Sequence, residues 1–358
     1  MVKLLSKRVA YLGFNNLFKH KRGVENVIDF QSRASLSLVN YYIHWDNKTS
    51  IYHHGNLICI GIKKNFFWSI SLNLVLFKIK NKNKYIFIHS HNPLMSIGCI
   101  YQSNLFTVHD GLYYLTKVKK HKLNKIFYLL EKILYTRTNF VHFISNYTKK
   151  MSLFPNGNIK YIIIPNTSHF ESFISKNNCQ NNAIKDFNIN TTKVFTIRSI
   201  EERALINLII DVAEKLNSKN IEFLVAGKGP LLNYYREKIN KKGLENITLL
   251  GYVPDDDLVQ YYKDCDLVLM PAAYGEGFGL PIIEGYLFNK PVISSNVCAI
   301  PEVIVSDDFL FDNSAESIIS KIHFAIEQID IQYSDFYFER YSNKVVISKM
   351  NELYKKLF

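Results

Sequence analysis

The chain of 358 residues is 47% hydrophobic and 21% charged, and it carries a formal net charge of +13. This composition excludes an intrinsically disordered protein, and the length favours two domains over one. The most apolar run, residues 65–77, has 13 residues, which is too short for a membrane-spanning helix of roughly 20. The five cysteines include no CxxC pair, a pattern typical of the reducing cytoplasm.

The first half of the chain alternates strand-like and helical segments. The runs that predict strands are RVAYLGF (8–14), NKTSIYHHG (47–55), YIFIHSH (85–91), NLFTVHD (104–110), FVHFIS (140–145) and IKYIIIPN (159–166). Residues 1–175 hold 24 Lys or Arg and 6 Asp or Glu, whereas residues 176–358 hold 20 and 25. This asymmetry predicts that the first half faces a nucleic acid, an anionic membrane surface or a lipid pyrophosphate. A codon usage that favours Lys and Asn is the alternative explanation.

The second half pairs each apolar strand with a helix, the signature of a doubly wound parallel sheet. The predicted strands are KVFTI (193–197), IEFLVAG (221–227), NITLLGYV (246–253), DLVLMPA (266–272) and PVISS (291–295). We predict an α/β protein with an N-terminal acceptor-binding Rossmann-like domain over 1–168, a linker rich in Asn and Ser over 169–192, and a second Rossmann-like domain over 193–335. A helical region over 336–358 is expected to pack back on the first domain.

The stretch GEGFGLPIIEG, residues 275–285, places three glycines just before a predicted helix, and two of them lie between the carboxylates of Glu276 and Glu284. Glycines let a backbone approach a ligand closely, and the unpaired N–H groups of a helix start attract an anion. Pro281 suits the first helical position. Glu276 and Glu284 flank this anion cradle and can accept hydrogen bonds from vicinal hydroxyls. A nucleotide sugar has the matching layout of sugar, diphosphate and ribose.

Several further motifs support a family resemblance. EGFGLPIIEG followed by PVISS and AIPEVI resembles the Glu, seven residues, Glu signature of retaining GT-B glycosyltransferases of family 4, the group 1 glycosyltransferases. The other matching segments are IRSIEERALINLIIDVAEKL, LVAGKGPL, NITLLGYVPDDDLVQYYKDCDLVLMP, FTVHD, FISNYTKK, IPNTSHFESF and KRGVENVI. The resemblance implies two Rossmann-like doubly wound domains facing a cleft, with a nucleotide diphosphate sugar, UDP- or GDP-linked, as co-substrate.

The resemblance also implies residue roles. Glu276 contacts the donor sugar, Arg198 and Arg203 neutralise the diphosphate, and His109 reaches the reacting sugar. Glu284 holds the ribose hydroxyls. The residues implied in backbone contacts to the donor are Gly277, Phe278, Gly279, Leu280, Gly227, Gly229, Val253 and Gly23.

Four positions depart from the family pattern. Arg203 stands where Lys is usual, Ile197 where Gly is frequent and Lys228 where an acid is common, while Gly23 lacks a second glycine beside it. The acidic run at 255–257 follows Pro254, and we interpret it as helix capping rather than as a metal site. No histidine pair has metal-site spacing. We therefore expect neither a bound metal nor a tightly bound cofactor.

The sequence thus predicts a retaining glycosyltransferase that acts on a hydroxyl acceptor, such as a lipid-linked glycan of a bacterial surface polysaccharide. It is expected in the cytoplasm, with peripheral association at the inner face of the membrane, and without nucleic acid as a partner. Another GT-B activity, such as a nucleotide-sugar epimerase or a glycan phosphorylase, is one alternative. A non-enzymatic nucleic-acid binder, driven by the basic half, is the other.

Overall fold

The computed structural model describes residues 8–18, 23–34, 39–83, 85–155, 157, 159–176, 191–217, 220–328 and 330–358. The chain divides into two compact units: residues 1–166 with 344–358 form unit 1, and residues 167–343 form unit 2. Across these described ranges, no helix combines the length and hydropathy needed to cross a bilayer.

Unit 1 is a single eight-stranded sheet with helices connecting its strands. Its elements are β1 (Arg8–Leu12), α1 (Gly23–Ala34), β2 (Asn40–Asp46), β3 (Ser50–His54), β4 (Leu57–Lys63), α2 (Trp68–Lys82), β5 (Ile86–Ser90), α3 (Pro93–Gly98), β6 (Leu105–Val108), α4 (Leu112–Val118), α5 (Asn124–Thr136), β7 (Phe140–Phe143), α6 (Asn146–Met151) and β8 (Lys160–Ile163). The last helix of the chain, which is described below as α15 (Asn343–Leu357), also packs in this unit.

The strand order in unit 1 is β3-β4-β2-β1-β5-β6-β7-β8. All neighbours pair in parallel except β3, which is antiparallel to β4 and forms the edge. One core cluster joins Tyr11 of β1 to Met350 and Tyr354 of α15. A second cluster packs Leu72 and Leu76 of α2 against β1 and β5. Because strand residues alternate between faces, these clusters cover both faces of the sheet.

Unit 2 is a smaller parallel sheet with the same alternation of strand and helix. Its elements are α7 (Glu171–Lys176), β9 (Thr192–Ile197), α8 (Ile206–Lys215), β10 (Ile221–Ala226), α9 (Leu232–Lys242), β11 (Ile247–Gly251), α10 (Asp255–Asp264), β12 (Leu267–Met270), α11 (Leu280–Leu287), β13 (Val292–Ser295), α12 (Ile300–Val303), β14 (Leu310–Phe311), α13 (Ala315–Glu327) and α14 (Tyr333–Arg340). The strand order is β11-β10-β9-β12-β13-β14, in which the direction of winding reverses between β9 and β12. Ligands of such sheets bind beyond the strand ends at this reversal.

Three local expectations were wrong in detail. The segment KRGVENVI, residues 21–28, resembles the family's glycine-rich loop after the first strand, but Gly23 is the first residue of α1, and residues 19–22 lie outside the described ranges. Pro281 is the second residue of α11, after Leu280. Asp255 and the two aspartates after it form the first turn of α10 rather than a side-chain cap, because the capping position is held by Pro254. Acidic groups still suit that turn, since the N-terminal end of a helix is its positive pole.

The predicted linker and domain bounds stay predictions. Residues 171–176 of the predicted linker form α7, and residues 177–190 lie outside the described ranges. Helix α14 begins at Tyr333 and belongs to unit 2, whereas residues 344–358 belong to unit 1.

Candidate functional site

Arg198 and Glu276 form an ion pair at the point where the sheet of unit 2 reverses its winding. Arg198 follows β9, and Glu276 lies in the loop between β12 and α11. The Arg198 guanidinium donates to Glu276 Oε2 at 2.7 Å, and the two side chains are only 7% and 14% exposed. A largely buried ion pair is costly to desolvate. A polar ligand could therefore replace Glu276 as the partner of Arg198, or Arg198 as the partner of Glu276.

Arg203 is anchored to the same loop by its own backbone and side chain. Its Nε donates to Glu201 Oε1 at 2.8 Å, and its Nη1 donates to the carbonyl of Gly275 at 2.6 Å. The Arg203 carbonyl also accepts a hydrogen bond from the Ala273 amide. These hydrogen bonds join the segment after β9 to the loop after β12, on the two sides of the winding reversal. Two arginines thus meet the residues that precede α11, so the structure brings Arg198, Arg203 and Glu276 into one cluster.

The loop before α11 needs glycine for its conformation. Gly275 and Gly279 have φ angles of 68° and 97°, in the left-handed region that side chains with a Cβ adopt at a cost. Gly279 is the residue immediately before the helix, whose first N–H groups have no partner within the helix. The Phe278 side chain is buried and packs edge-on against Tyr341, with ring centroids 5.8 Å apart. Phe278 therefore anchors the loop by its ring and leaves its backbone for other contacts.

A second glycine-containing loop, after β10, packs backbone to backbone on the segment after β9. A Cβ at Gly227 would collide with the carbonyl oxygen of Arg198, and one at Gly229 with the backbone of Ile200. The amide of Ile200 donates to the carbonyl of Lys228 at 2.8 Å. Both glycines thus have a structural reason to be present, because they permit the approach that fixes the backbone of Arg198.

Lys228 and Val253 lie near the ends of β10 and β11. The Lys228 ammonium sits 3.9 Å from the centroid of the Tyr252 ring, and that ring is 65% exposed. The family pattern favours an acidic residue at position 228, whereas the lysine found here forms a cation–π pair. Val253 adjoins Tyr252 in the half-buried turn before α10.

Glu284 is buried in the second turn of α11, where its partner comes from α10. The hydroxyl of Tyr262 donates to Glu284 Oε2 at 2.7 Å. Burial raises the pKa of Glu284, while nearby His169 and the Tyr262 bond lower it. His169 lies 3.2 Å from Asp255. Tyr262 and His169 lie inside segments that match the family, but sequence reasoning assigned them no role, because their contacts join residues far apart in the chain.

His109 lies in unit 1, directly after β6, and its ring is paired with another histidine. His109 Nε2 lies 2.9 Å from His91 Nδ1, with the rings stacked at 5.2 Å. Burial lowers the pKa of His109 to about 3 and that of His91 well below its usual value. Both rings are therefore neutral at physiological pH.

The free nitrogen of His91 determines which tautomers the pair adopts. His91 Nε2 is buried without a hydrogen-bond partner. An unpaired buried N–H is rarer than an unpaired acceptor, so the proton of His91 belongs on Nδ1. His91 then donates to His109 Nε2, and His109 carries its proton on Nδ1. The neutral His109 ring can accordingly offer an N–H donor to a ligand oxygen.

The implied site residues fall into two groups. His109 and Gly23 belong to unit 1, and the remaining implied residues belong to unit 2. Gly23 is the first residue of α1, and its implied role stays a prediction. Within the described part of the chain, no group of three or more His, Cys, Asp or Glu side chains is arranged to hold a metal ion.

A comparison with protein families gives a match that includes the cluster of Arg198, Arg203 and Glu276. Residues 180–334 match the family model described as glycosyl transferases group 1. The chain is similar to group 1 glycosyltransferases. The matched segment contains every element from β9 to α13 and therefore the whole arginine and glutamate cluster. The resemblance predicted from the sequence is confirmed.

Two curated relatives each align with part of this chain. An uncharacterized 41.2 kDa protein of the cps region of Klebsiella pneumoniae is 25% identical over 249 residues, which are 65% of this chain and 66% of the relative. The O-antigen chain mannosyltransferase B of Escherichia coli is 42% identical over 77 residues, 21% of this chain and 20% of the relative. Both alignments span less than two thirds of the relative's length.

Solved structures confirm the fold. Anabaena HepE, solved in complex with UDP and glucose, superposes with a TM-score of 0.74 at 15% sequence identity and covers 98% of this chain and 99% of its own. The GT-B fold class predicted from the sequence, with two Rossmann-like α/β units, is therefore confirmed.

Proposed function

We propose that the chain is a retaining glycosyltransferase of the family 4 type, which moves a sugar from a nucleotide diphosphate sugar to a hydroxyl acceptor. The cluster of Arg198, Arg203 and Glu276 at the winding reversal of unit 2 carries this proposal. It combines two cations for a diphosphate with a carboxylate for sugar hydroxyls. The group 1 match over the same residues supports it.

The ion pair gives the cluster a way to respond to the donor. When a diphosphate enters, Arg198 exchanges the Glu276 carboxylate for a phosphate, and Glu276 becomes available to the sugar. Charge-assisted hydrogen bonds of this kind are worth about 1.5–3 kcal/mol each. Because the two arginines and the first amides of α11 balance the charge of the departing nucleotide, they supply the electrostatic stabilisation of the transition state.

Retention requires bond formation on the face from which the nucleotide leaves. In the proposed step, the bond from the anomeric carbon to the phosphate oxygen breaks, and the acceptor oxygen bonds to that carbon on the same face. The acceptor proton passes to the leaving phosphate oxygen. His109 donates through its Nδ1–H to a sugar oxygen as a neutral group, since burial lowers its pKa to about 3.

The acceptor is proposed to be a lipid-linked glycan in surface polysaccharide synthesis, at the inner face of the membrane. Five of the curated relatives are O-antigen chain or serotype-specific mannosyltransferases of Escherichia coli, which supports this acceptor class and makes an activated mannose the first donor to test. The structures of HepE with UDP-glucose make UDP-glucose the second.

The test is nucleotide release from a panel of UDP-, GDP-, ADP- and dTDP-sugars. Slow release from one donor by the wild-type chain is expected, with a loss of about 10²-fold or more in Glu276→Ala and Arg198→Ala. Glu316→Gln, which alters an exposed ion pair with Lys215, is the matched control and should keep full activity. Release that Glu276→Ala leaves unchanged would refute the proposed site. Interconversion of the sugar without release would favour an epimerase.

A further inference from the structure

Helix α2 presents an apolar stripe to the outside of unit 1. Phe67, Ile70, Leu74 and Phe77 recur at a spacing that places them on one face of a helix. Each is more than half exposed, and Phe66, just before the helix, is 92% exposed. We call these five residues the docking face. Soluble proteins seldom leave so many large apolar side chains together on a surface unless something covers them.

The opposite side of the same helix already serves the core. Leu72, Leu76 and Ile79 are buried against the sheet. The docking face is therefore additional to the apolar stripe that folding requires. It extends toward the exposed Ile100, because Asn73 of α2 accepts a hydrogen bond from the Ile100 amide at 2.8 Å.

The charges around the docking face have one sign. Exposed lysines lie just before α2 and in its last turns, namely Lys63, Lys64, Lys78, Lys80 and Lys82. The sequence contains no Asp or Glu between Asp46 and Asp110. Neutral partners would leave these charges unmatched, and a second copy of the chain would bring two basic strips together. The surface is thus complementary to an apolar layer with an anionic boundary.

A basic cavity adjoins the end of the docking face. It has a volume of about 400 Å³ and is lined by Phe77, Lys80, Asn81, Lys82, Asn83 and Tyr101. The Lys80 ammonium lies 4.4 Å from the Tyr101 ring centroid. Ammonium groups and side-chain amides can donate to phosphate oxygens. The cavity therefore offers a place for a phosphate headgroup beside side chains suited to acyl chains.

We propose that α2 lies flat on an anionic phospholipid bilayer, with the docking face in the acyl boundary and the flanking lysines at the phosphates. Amphipathic interfacial helices bind in this way, by apolar burial together with attraction of basic residues to anionic lipid. The inference rests on the proposed function only in one respect: a lipid-linked acceptor would explain why the chain binds a membrane, because such an acceptor lies at the bilayer surface. The residues that carry it are separate from the arginine and glutamate cluster.

The experiment is co-sedimentation of the full chain with phosphatidylcholine vesicles, with and without phosphatidylglycerol. Binding is expected only with phosphatidylglycerol. Lys78→Gln, Lys80→Gln and Lys82→Gln should each weaken it about fivefold. The double variant Phe67→Ser with Leu74→Ser should weaken it at least tenfold. The matched controls are Lys241→Gln and Ile51→Ser, at an exposed lysine of unit 2 and an exposed apolar residue of the edge strand β3, and neither should change binding.

Several outcomes would overturn the inference. These are equal binding to both vesicle types, binding that the α2 variants leave unchanged, and a wild-type dimer that Phe67→Ser with Leu74→Ser converts to a monomer. Circular dichroism confirms that each variant is folded. Nucleotide release is measured on the same samples, so a chain that releases nucleotide but ignores vesicles refutes the docking face alone. A chain that binds vesicles but releases nothing refutes the proposed function alone.

Discussion

The carboxyl group of Glu284 depends on a single hydroxyl from another helix. Tyr262 donates to it at 2.7 Å, and the Tyr262 ring is itself held by stacking on Phe288. Burial raises the pKa of Glu284, and this hydrogen bond opposes the rise. The ionised carboxylate is an acceptor only, whereas protonation turns one of its oxygens into a donor and weakens the group as an acceptor for ribose hydroxyls. If Glu284 holds the ribose, as the family resemblance implies, its protonation controls nucleotide affinity.

Tyr262→Phe should therefore shift the pH dependence of nucleotide binding. Without the hydroxyl, the pKa of Glu284 rises further, so affinity should begin to fall at a higher pH than in the wild type as the pH is lowered. Isothermal titration with the nucleoside diphosphate, from about pH 8 to about pH 5, measures this shift. Tyr261→Phe, at the neighbouring half-buried tyrosine, is the control. Identical profiles for Tyr262→Phe and the wild type would count against the ribose role of Glu284.

Helix α15 completes the core of unit 1 from the far end of the chain. Val346, Met350, Leu353 and Tyr354 are buried in the same cluster as Tyr11 of β1. The Tyr354 hydroxyl lies 2.9 Å from the Tyr11 hydroxyl and 2.8 Å from His89 Nδ1. A polar group inside an apolar cluster thus fixes how the helix sits on the sheet.

Tyr354→Phe should lower the free energy of unfolding of unit 1 by about 1–3 kcal/mol, because it removes the partner of the buried His89 Nδ1 and one of the hydrogen bonds of Tyr11. Both tryptophans of the chain, Trp45 and Trp68, belong to unit 1, so their fluorescence in urea reports on this unit. Tyr234→Phe, at an exposed tyrosine of unit 2, should change nothing. A cost no larger than that of the control would show that the hydroxyl network does not stabilise α15.

Across the whole molecule, the buried titratable groups make stability depend on pH. Four histidines of unit 1 have a pKa that desolvation lowers: the buried His89, His91 and His142 and the half-buried His109. Above about pH 6.5 they are neutral in both the folded and the unfolded chain. Below that pH the unfolded chain takes up protons that the folded chain does not, so stability is lost as the pH falls. Glu131 and Glu284, with a raised pKa, oppose this loss in more acidic solution.

The free energy of unfolding of unit 1 should accordingly decrease between about pH 7 and about pH 5, by up to about 2 kcal/mol for each buried histidine. Urea unfolding followed by tryptophan fluorescence measures the slope. His142→Gln should reduce it, since one proton fewer is taken up on unfolding. His53→Gln, at an exposed histidine, should leave it unaltered. A flat profile between these pH values would contradict the buried, neutral state of the network.

Local sequence patterns were sufficient to predict the strands and helices and to select Arg198, Arg203 and Glu276 as candidate site residues. Uniformly apolar strands separated by amphipathic helices predict a doubly wound sheet, because both faces of such a sheet are covered. Arg198 and Glu276 could be identified through the family resemblance, and their positions, after one predicted strand and in the glycine-rich loop that follows another, are where parallel sheets bind ligands. The start of α1 at Gly23 could not be predicted by resemblance to a glycine-rich loop, because a helix there depends on the residues that follow.

The sequence by itself determined the fold class, the glycine-rich loop before α11 and the charged side chains that could bind the nucleotide-sugar donor. Each of these features depends on residues that are close together in the sequence. Only the tertiary structure decided which distant groups meet. The strand order placed β9 beside β12 and so joined Arg198 to Glu276. Packing of α10 on α11 gave Glu284 its hydroxyl partner, and the ends of β5 and β6 brought His91 to His109. The sequence showed only that the run at 65–77 is apolar. Packing against the sheet buries one face of this helix and leaves the other face exposed to a partner. Periodicity reports what lies within one element, whereas contacts between elements depend on the order in which strands pair.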